Sequence, residues 1–190
     1  MADRLYLSYW LRGFTETNML RHFGTVLKRF PFSKLAPEVM LRVYAQELKE
    51  PAVAERHFKE PIDWNEVIAA ARQFGGADTA FELVGRWDIW QFEQDWHLKP
   101  AEVSIFCFAP GFDPDFEEDI RIDFGVDIHF LPQPEYPEGV RMVQSNVKSL
   151  LQLVHDLDDA LTLERRLLQA ESGENFAERL QEALREMEQG

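Results

Sequence analysis

The stretch 119–131 constrains the fold more than any other part of the sequence. Apolar residues alternate there with charged or small ones: Ile120, Ile122, Phe124, Val126, Ile128 and Phe130 stand between Asp119, Arg121, Asp123, Gly125, Asp127 and His129. A period of two with one apolar side is typical of a β-strand that is buried on one face only. A slip by one residue would put the charges in the core, so the alternation also sets the register of the strand.

The composition limits the class of protein. The chain has 190 residues, of which 45% are hydrophobic, enough for one globular body with a sizeable core. The formal net charge of -14 disfavours binding to nucleic acid or to an anionic membrane, and it favours a basic partner. The single cysteine, Cys107, lies in an apolar stretch and cannot form an internal disulfide. Because no segment is long and apolar enough to span a bilayer and the N-terminus has no signal-peptide core, we expect a cytoplasmic protein.

The patterns before residue 119 predict an α+β fold. Strands are expected at 5–11, 39–46, 52–58, from 80 and at 102–109, and helices are expected after Thr15 and Asp63, which can cap a helix N-terminus. The order β-α-β-β-α-β of the first elements is that of a ferredoxin-like core, which the strands at 102–109 and 119–131 would extend as an antiparallel hairpin. We expect about six strands with the first two helices on one face. The core should contain Val103, Ile105, Cys107, Ile122, Phe124 and Val126.

The last third of the sequence predicts helices. Apolar residues at alternating spacings of four and three predict one long helix over 146–169, and a shorter final helix follows, with Phe176, Leu180, Leu184 and Met187 on one side. We therefore predict an α+β sheet domain over 1–131 and a helical C-terminal extension over 132–190 that packs on the same body. The apolar side of the long helix must be buried on the open face of the sheet or against a second copy, so we expect a monomer or a homodimer.

The polar face of the predicted meander is the candidate binding surface. With regular hairpins, Ser104 would lie between Asp88 and Asp123, and Phe106 between Arg86 and Arg121, so aromatic rings and paired charges would share one face. The alternative is that the C-terminal helices cover the rings and leave the charges as a rim. The predicted surface consists of Arg86, Asp88, Trp90, Phe106, Phe108, Arg121 and Asp123.

A second candidate site lies at one end of this sheet. Asp127 and His129 would run past the start of the middle strand and end beside the loop 93–99, which contains Asp95 and His97. Two carboxylates and two imidazoles suit zinc, iron or manganese, and such a site could activate water. The alternative is that these side chains make ordinary surface contacts.

Two functions follow from these surfaces. The first is a non-enzymatic binding protein without a cofactor, whose acidic surface suits a basic protein partner. The second is a small metal-assisted hydrolase that uses a divalent transition metal at the end of the meander. The sequence contains no nucleophile elbow, phosphate-binding glycine loop, paired CxxC or HExxH motif, so no motif favours the enzyme.

Overall fold

The computed structural model describes residues 3–133 and 137–189 and has the predicted α+β architecture. The strands in chain order are β1 (Arg4–Leu11), β2 (Glu38–Ala45), β3 (Ala54–Lys59), β4 (Thr79–Phe92), β5 (Trp96–Phe108), β6 (Ile120–Val126) and β7 (Leu163–Ala170). The helices are α1 (Met19–Arg29), α2 (Trp64–Arg72), α3 (Val140–Ala160) and α4 (Phe176–Gln189). A short 3-10 turn, Asp127–Phe130, follows β6.

The strands form one antiparallel sheet in the order β3-β2-β4-β5-β6-β1-β7. This order does not confirm the predicted ferredoxin-like core, because a split β-α-β unit leaves room for one strand between β1 and β2. Here β4, β5 and β6 all lie between them. The reason is local pairing: β4, β5 and β6 are joined by hairpins and stay adjacent, which moves β1 to the far side of β6.

One face of the sheet forms the main core together with α1, α2 and α3. The predicted core residues Val103, Ile105, Cys107, Ile122 and Phe124 are all buried there. The prediction for Val126 is wrong, since its side chain is 39% exposed. The cause is that β6 ends at this residue instead of continuing to Leu131.

The pairing of β6 with β1 shifts register near Gly125, which has a φ of +76°, and β6 ends one residue later. Residues other than glycine rarely adopt this conformation, and the Asp123 carboxylate accepts a hydrogen bond from the Gly125 N–H at 2.9 Å. In the following 3-10 turn Ile128 is exposed, whereas Asp127 and Phe130 are buried. The alternation of apolar and polar residues therefore runs on to Phe130, although the strand itself ends at Val126.

The β4–β5 hairpin is longer than predicted and its register differs. Ser104 pairs with Asp123 as expected, but its other neighbour is Val84, and Phe106 lies between Arg121 and Glu82. The prediction was wrong because the chain turns tightly at residues 93–95 and β5 already begins at Trp96. The shift from Arg86 to Glu82 is four residues, an even number, so the predicted polar residues still share one face.

The predicted helix over 146–169 is wrong in its second half. Helix α3 ends at Ala160, and Leu163–Ala170 form β7, which pairs with β1 over its length. The segment LERRLLQA has no strong strand propensity, but without β7 the buried strand β1 would expose an unpaired edge. Tertiary pairing therefore overrides local preference, and part of the predicted helical extension belongs to the sheet.

Helix α3 packs beside α1 on the core face, not on the open face of the sheet as predicted. Its buried Asn146 carries the main polar contact: the side chain accepts from Trp90 N–H at 2.8 Å and donates to the carbonyl oxygens of Trp90 and His129, both at 2.8 Å. β4 extends past the end of β2, so Trp90 has no partner strand on that side. The Asn146 side chain takes the place of that strand and satisfies the Trp90 backbone N–H and C=O. Among the described residues, no helix is long and apolar enough to cross a membrane.

Replacing Asn146 with Ala should lower the free energy of unfolding by about 2–4 kcal/mol, because backbone groups of Trp90 and His129 would lose their partner in a buried place. Urea unfolding followed by tryptophan fluorescence measures the change. Ser149→Ala, at an exposed position of the same helix, is the matched control. Equal stability of the two variants would contradict this role of Asn146.

Candidate functional site

The open face of the sheet, defined as the side opposite the helices, carries a connected set of polar residues. Its centre is Glu82, whose side chain is buried although it lies on this face. The Glu82 carboxylate accepts hydrogen bonds from the Tyr44 hydroxyl at 2.7 Å and from the Ser104 hydroxyl at 2.8 Å. The Arg42 guanidinium lies 3.7 Å from the same carboxylate and 3.1 Å from that of Glu55. Burial and the hydrogen bond to Glu82 raise the pKa of Tyr44 to about 12.

A second polar group on this face surrounds Arg121. Its guanidinium forms an ion pair with Glu118, which also accepts a hydrogen bond from Ser8 at 3.3 Å. The same guanidinium stacks over the rings of Tyr6 and Phe116, 5.0 and 4.9 Å from their centroids. Arg121 is therefore fixed by contacts within the chain.

The phenylalanine rings of the predicted binding surface are neither open nor covered by the C-terminal helices. Phe108 is buried, and its ring stacks on that of Phe106 at 5.7 Å and on that of Phe116 at 4.8 Å. Phe112 and Phe116 come from the loop between β5 and β6, so this loop forms the cover. The alternative that the C-terminal helices cover the rings is wrong, because α3 and α4 contribute their buried residues to the core on the other side.

The charged members of the predicted surface also have partners within the chain. Arg86 lies 3.4 Å from Glu38, and Asp123 lies 2.6 Å from Arg4. Asp88 accepts hydrogen bonds from the Ser33 hydroxyl at 2.5 Å and from the Lys34 N–H at 3.0 Å. Trp90, the remaining member, is half-buried and is held through its backbone by Asn146. These contacts stabilise the face, and they leave its charges largely compensated.

The four residues of the predicted metal site have separate environments. Asp127 is buried, accepts from the Asp3 N–H at 3.0 Å, and forms an ion pair with Arg179 at 2.5 Å. His129 lies two residues further along, and burial lowers its pKa. Asp95 and His97 are exposed near the tip of the β4–β5 hairpin, where the Asp95 carboxylate accepts from the Trp96 N–H. Within the part of the chain that is described, no group of three or more potential metal ligands comes together.

A third surface, the α3/α4 groove, has open apolar walls. It has a volume of about 490 Å³ and lies between the two C-terminal helices. Leu151 of α3 is 52% exposed and Leu184 of α4 is 46% exposed, which is unusual for two leucines in one groove. The apolar lining consists of Pro132, Val140, Val143, Val147, Leu151, Leu180 and Leu184.

Helix α4 is anchored through its first turns. Phe176 is buried in the core and Leu180 packs against it. Arg179 pairs with Asp127 and, at 2.5 Å, with Glu174. Both apolar stripes were visible in the sequence, but the groove was not predicted, because the position of α4 depends on β7 and on the Arg179–Asp127 pair.

The Tyr44 hydroxyl should make stability depend on pH above 10. Its pKa is raised in the folded state from 10.0 to about 12, so the unfolded chain loses this proton first. The stabilising contribution is complete below pH 10 and is lost as the pH rises towards 12. Urea unfolding at pH 9, 10.5 and 11.5 should show a steeper loss for wild type than for Tyr44→Phe. Parallel curves for the two proteins would contradict the raised pKa.

Replacing Arg179 with Gln should lower the free energy of unfolding by about 3–5 kcal/mol, because the buried Asp127 carboxylate would lose its counterion. Arg185→Gln, on an exposed part of the same helix, should change it by less than about 0.5 kcal/mol. Thermal and urea unfolding at pH 7 measure both variants. A neutral effect of Arg179→Gln would mean that Asp127 has another source of compensation.

Comparison of the chain with protein-family models, with curated proteins and with solved structures gave no match.

Proposed function

We propose that the protein is a non-catalytic, cytoplasmic binding protein for another protein, and that the α3/α4 groove is its binding site. The observation that carries the proposal is the pair of open leucines, Leu151 and Leu184, on facing walls of an apolar groove. Apolar groups that converge in a groove of this kind gain free energy when a partner removes them from water.

The shape of the groove favours a helical segment of the partner. From Val140 to Leu151 its α3 wall spans eleven residue steps, about 16 Å at 1.5 Å per residue. A helix of the partner could place apolar side chains at positions i, i+3 or i+4, and i+7 along this length. The other wall, α4, presents Leu180 and Leu184 at the matching spacing of four residues.

Charge favours a basic partner helix. The exposed side of α4 carries Glu178, Glu182 and Glu186, and the chain as a whole has a net charge of -14. These glutamates are two residues away from Leu180 and Leu184, about 200° around the helix, so they attract a basic partner from a distance and do not border the groove, whose lining includes Lys148. Such complementarity accelerates association and makes binding weaker at high salt.

The metal-assisted hydrolase remains a prediction from sequence, without a geometric observation in its favour. Asp127, the best-placed ligand of the predicted set, is engaged by Arg179. The polar open face offers hydroxyl and carboxylate groups, but they bond to one another. A second copy of the chain is a competing occupant of the groove, and the experiment below separates it from a different partner.

The test compares groove variants with an equally exposed leucine elsewhere. Leu151→Glu and Leu184→Glu place charges in the groove, and Leu98→Glu, at a residue that is 47% exposed on the β4–β5 hairpin, is the matched control. Proteins captured from the source cells by the wild type should be lost with both groove variants and kept with the control. With the purified captured protein, calorimetry should show at least about tenfold weaker binding for the groove variants.

Two outcomes would contradict the proposal. A captured protein that binds all three variants equally well would place the binding site outside the groove. Light scattering that shows a wild-type dimer, dissociated by Leu184→Glu, would assign the groove to a second copy instead of a different partner.

A further inference from the structure

α1 and α2 form a second groove, of about 370 Å³, on the helical side of the molecule. The described residues that line it include three basic side chains, Arg21, Lys28 and Arg72, and no acidic one. This is the reverse of the overall composition, in which 34 acidic residues stand against 20 basic ones. The charge of this α1/α2 groove is therefore a local feature that the composition does not predict.

Two contacts define how the helices run along the groove. The Lys28 ammonium donates to the Asn65 side-chain oxygen at 3.1 Å, which joins the end of α1 to the start of α2. In the middle, a Cβ built on Gly24 would lie 3.3 Å from Ile68 Cγ1, so the two helices approach closely there. The helices are consequently antiparallel along the groove.

This alignment brings two arginines to one end. Arg21 precedes Lys28 by seven residues, and Arg72 follows Asn65 by seven residues. Seven residues make almost two turns at about 3.6 residues per turn, so each pair shares one side of its helix. Since Lys28 and Asn65 meet at one end of the groove, Arg21 and Arg72 both line the opposite end.

The two guanidinium groups lack a counterion within the described part of the chain. Neither Arg21 nor Arg72 belongs to any of the ion pairs there, although carboxylates are abundant on the surface. Arg21 also lies in the first turn of α1, which contains no acidic residue. A cation at that end opposes the α1 dipole, whereas Arg72 lies in the last turn of α2, where the dipole has the opposite sign. The two helix dipoles therefore largely cancel there, and the attraction for an anion comes from the two guanidinium groups.

We propose that the α1/α2 groove binds a phosphate monoester, with the phosphate between Arg21 and Arg72 and the organic group along the groove. A dianionic phosphate compensates both arginines at once, and the planar guanidinium donors match its oxygens. The floor at Gly24 and Ile68 is apolar and suits the organic group. The volume of 370 Å³ falls within the range of about 300–1,000 Å³ typical of small-molecule sites.

Phenyl phosphate is the probe, because it combines a dianion with an apolar ring. Calorimetric titration into the full chain at pH 7.5 and low salt should give one site with a Kd below about 1 mM. Arg21→Gln and Arg72→Gln should each weaken binding at least about tenfold, as expected for loss of a charge-assisted hydrogen bond. Arg29→Gln removes an equal charge from α1 outside the groove and should leave the Kd within about twofold.

One further variant and two further ligands test the site independently of the arginine variants. Ala69→Glu places a carboxylate among the exposed lining residues and should abolish binding while thermal unfolding stays unchanged. Benzoate and inorganic phosphate should bind at least about tenfold more weakly than phenyl phosphate, because the first has one charge fewer and the second lacks the ring.

The proposal fails if phenyl phosphate does not bind at 5 mM, roughly the weak limit of a specific small-molecule site. It also fails if Arg29→Gln weakens binding as much as Arg21→Gln, since the effect would then be general attraction to positive charge. Equal affinity for benzoate would overturn the phosphate, and equal affinity for inorganic phosphate would overturn the organic group. These results do not depend on the α3/α4 groove, which has separate variants and a separate partner.

Discussion

The packing around Trp87 joins parts of the chain that are far apart in sequence. Its buried ring contacts Phe30 after α1, Phe124 of β6 and Phe130 of the 3-10 turn, with centroids 5.8, 5.2 and 5.7 Å away. Without this cluster, the β4–β5 hairpin would project into solvent beyond β2 and β6, and the turn after β6 would have no apolar surface to bury Phe130. The position of α3 follows, because Asn146 bonds to Trp90 and His129 on either side of the cluster.

The two faces of the sheet solve different physical problems. The helical face is apolar and is covered by three helices. The open face has charges of alternating sign on adjacent strands in the series Glu55, Arg42 and Glu82, so each of these three has a neighbour of opposite sign. Such pairs keep a broad sheet in contact with water without an exposed apolar patch. This explains why the polar residues that suggested a binding surface are largely used within the chain.

Exposed groups without a partner in the described part of the chain lie instead between helices. The α3/α4 groove exposes two leucines, and the α1/α2 groove exposes two guanidinium groups that form no ion pair among the described residues. Helices that pack on a sheet through one side leave the spaces between them open to water, and some of the residues that line those spaces, such as Leu151, Leu184 and Arg72, are exposed. The two grooves are therefore places where ligands could bind without disturbing the fold.

The sequence alone determined the α+β class, the face of β5 and β6 that is buried, and the presence of both C-terminal apolar stripes. Alternation with a period of two and helical spacing report which side of an element is apolar, because burial acts on each residue separately. The tertiary structure decided the order of the strands, the tight turn at residues 93–95, the strand β7 and the two grooves. These features depend on which elements meet: LERRLLQA becomes a strand because β1 has a free edge, and Arg21 and Arg72 line the same groove because α1 and α2 run antiparallel. Contacts between distant elements leave no periodic signal in either partner, so the geometry of the candidate sites could not be predicted from the sequence.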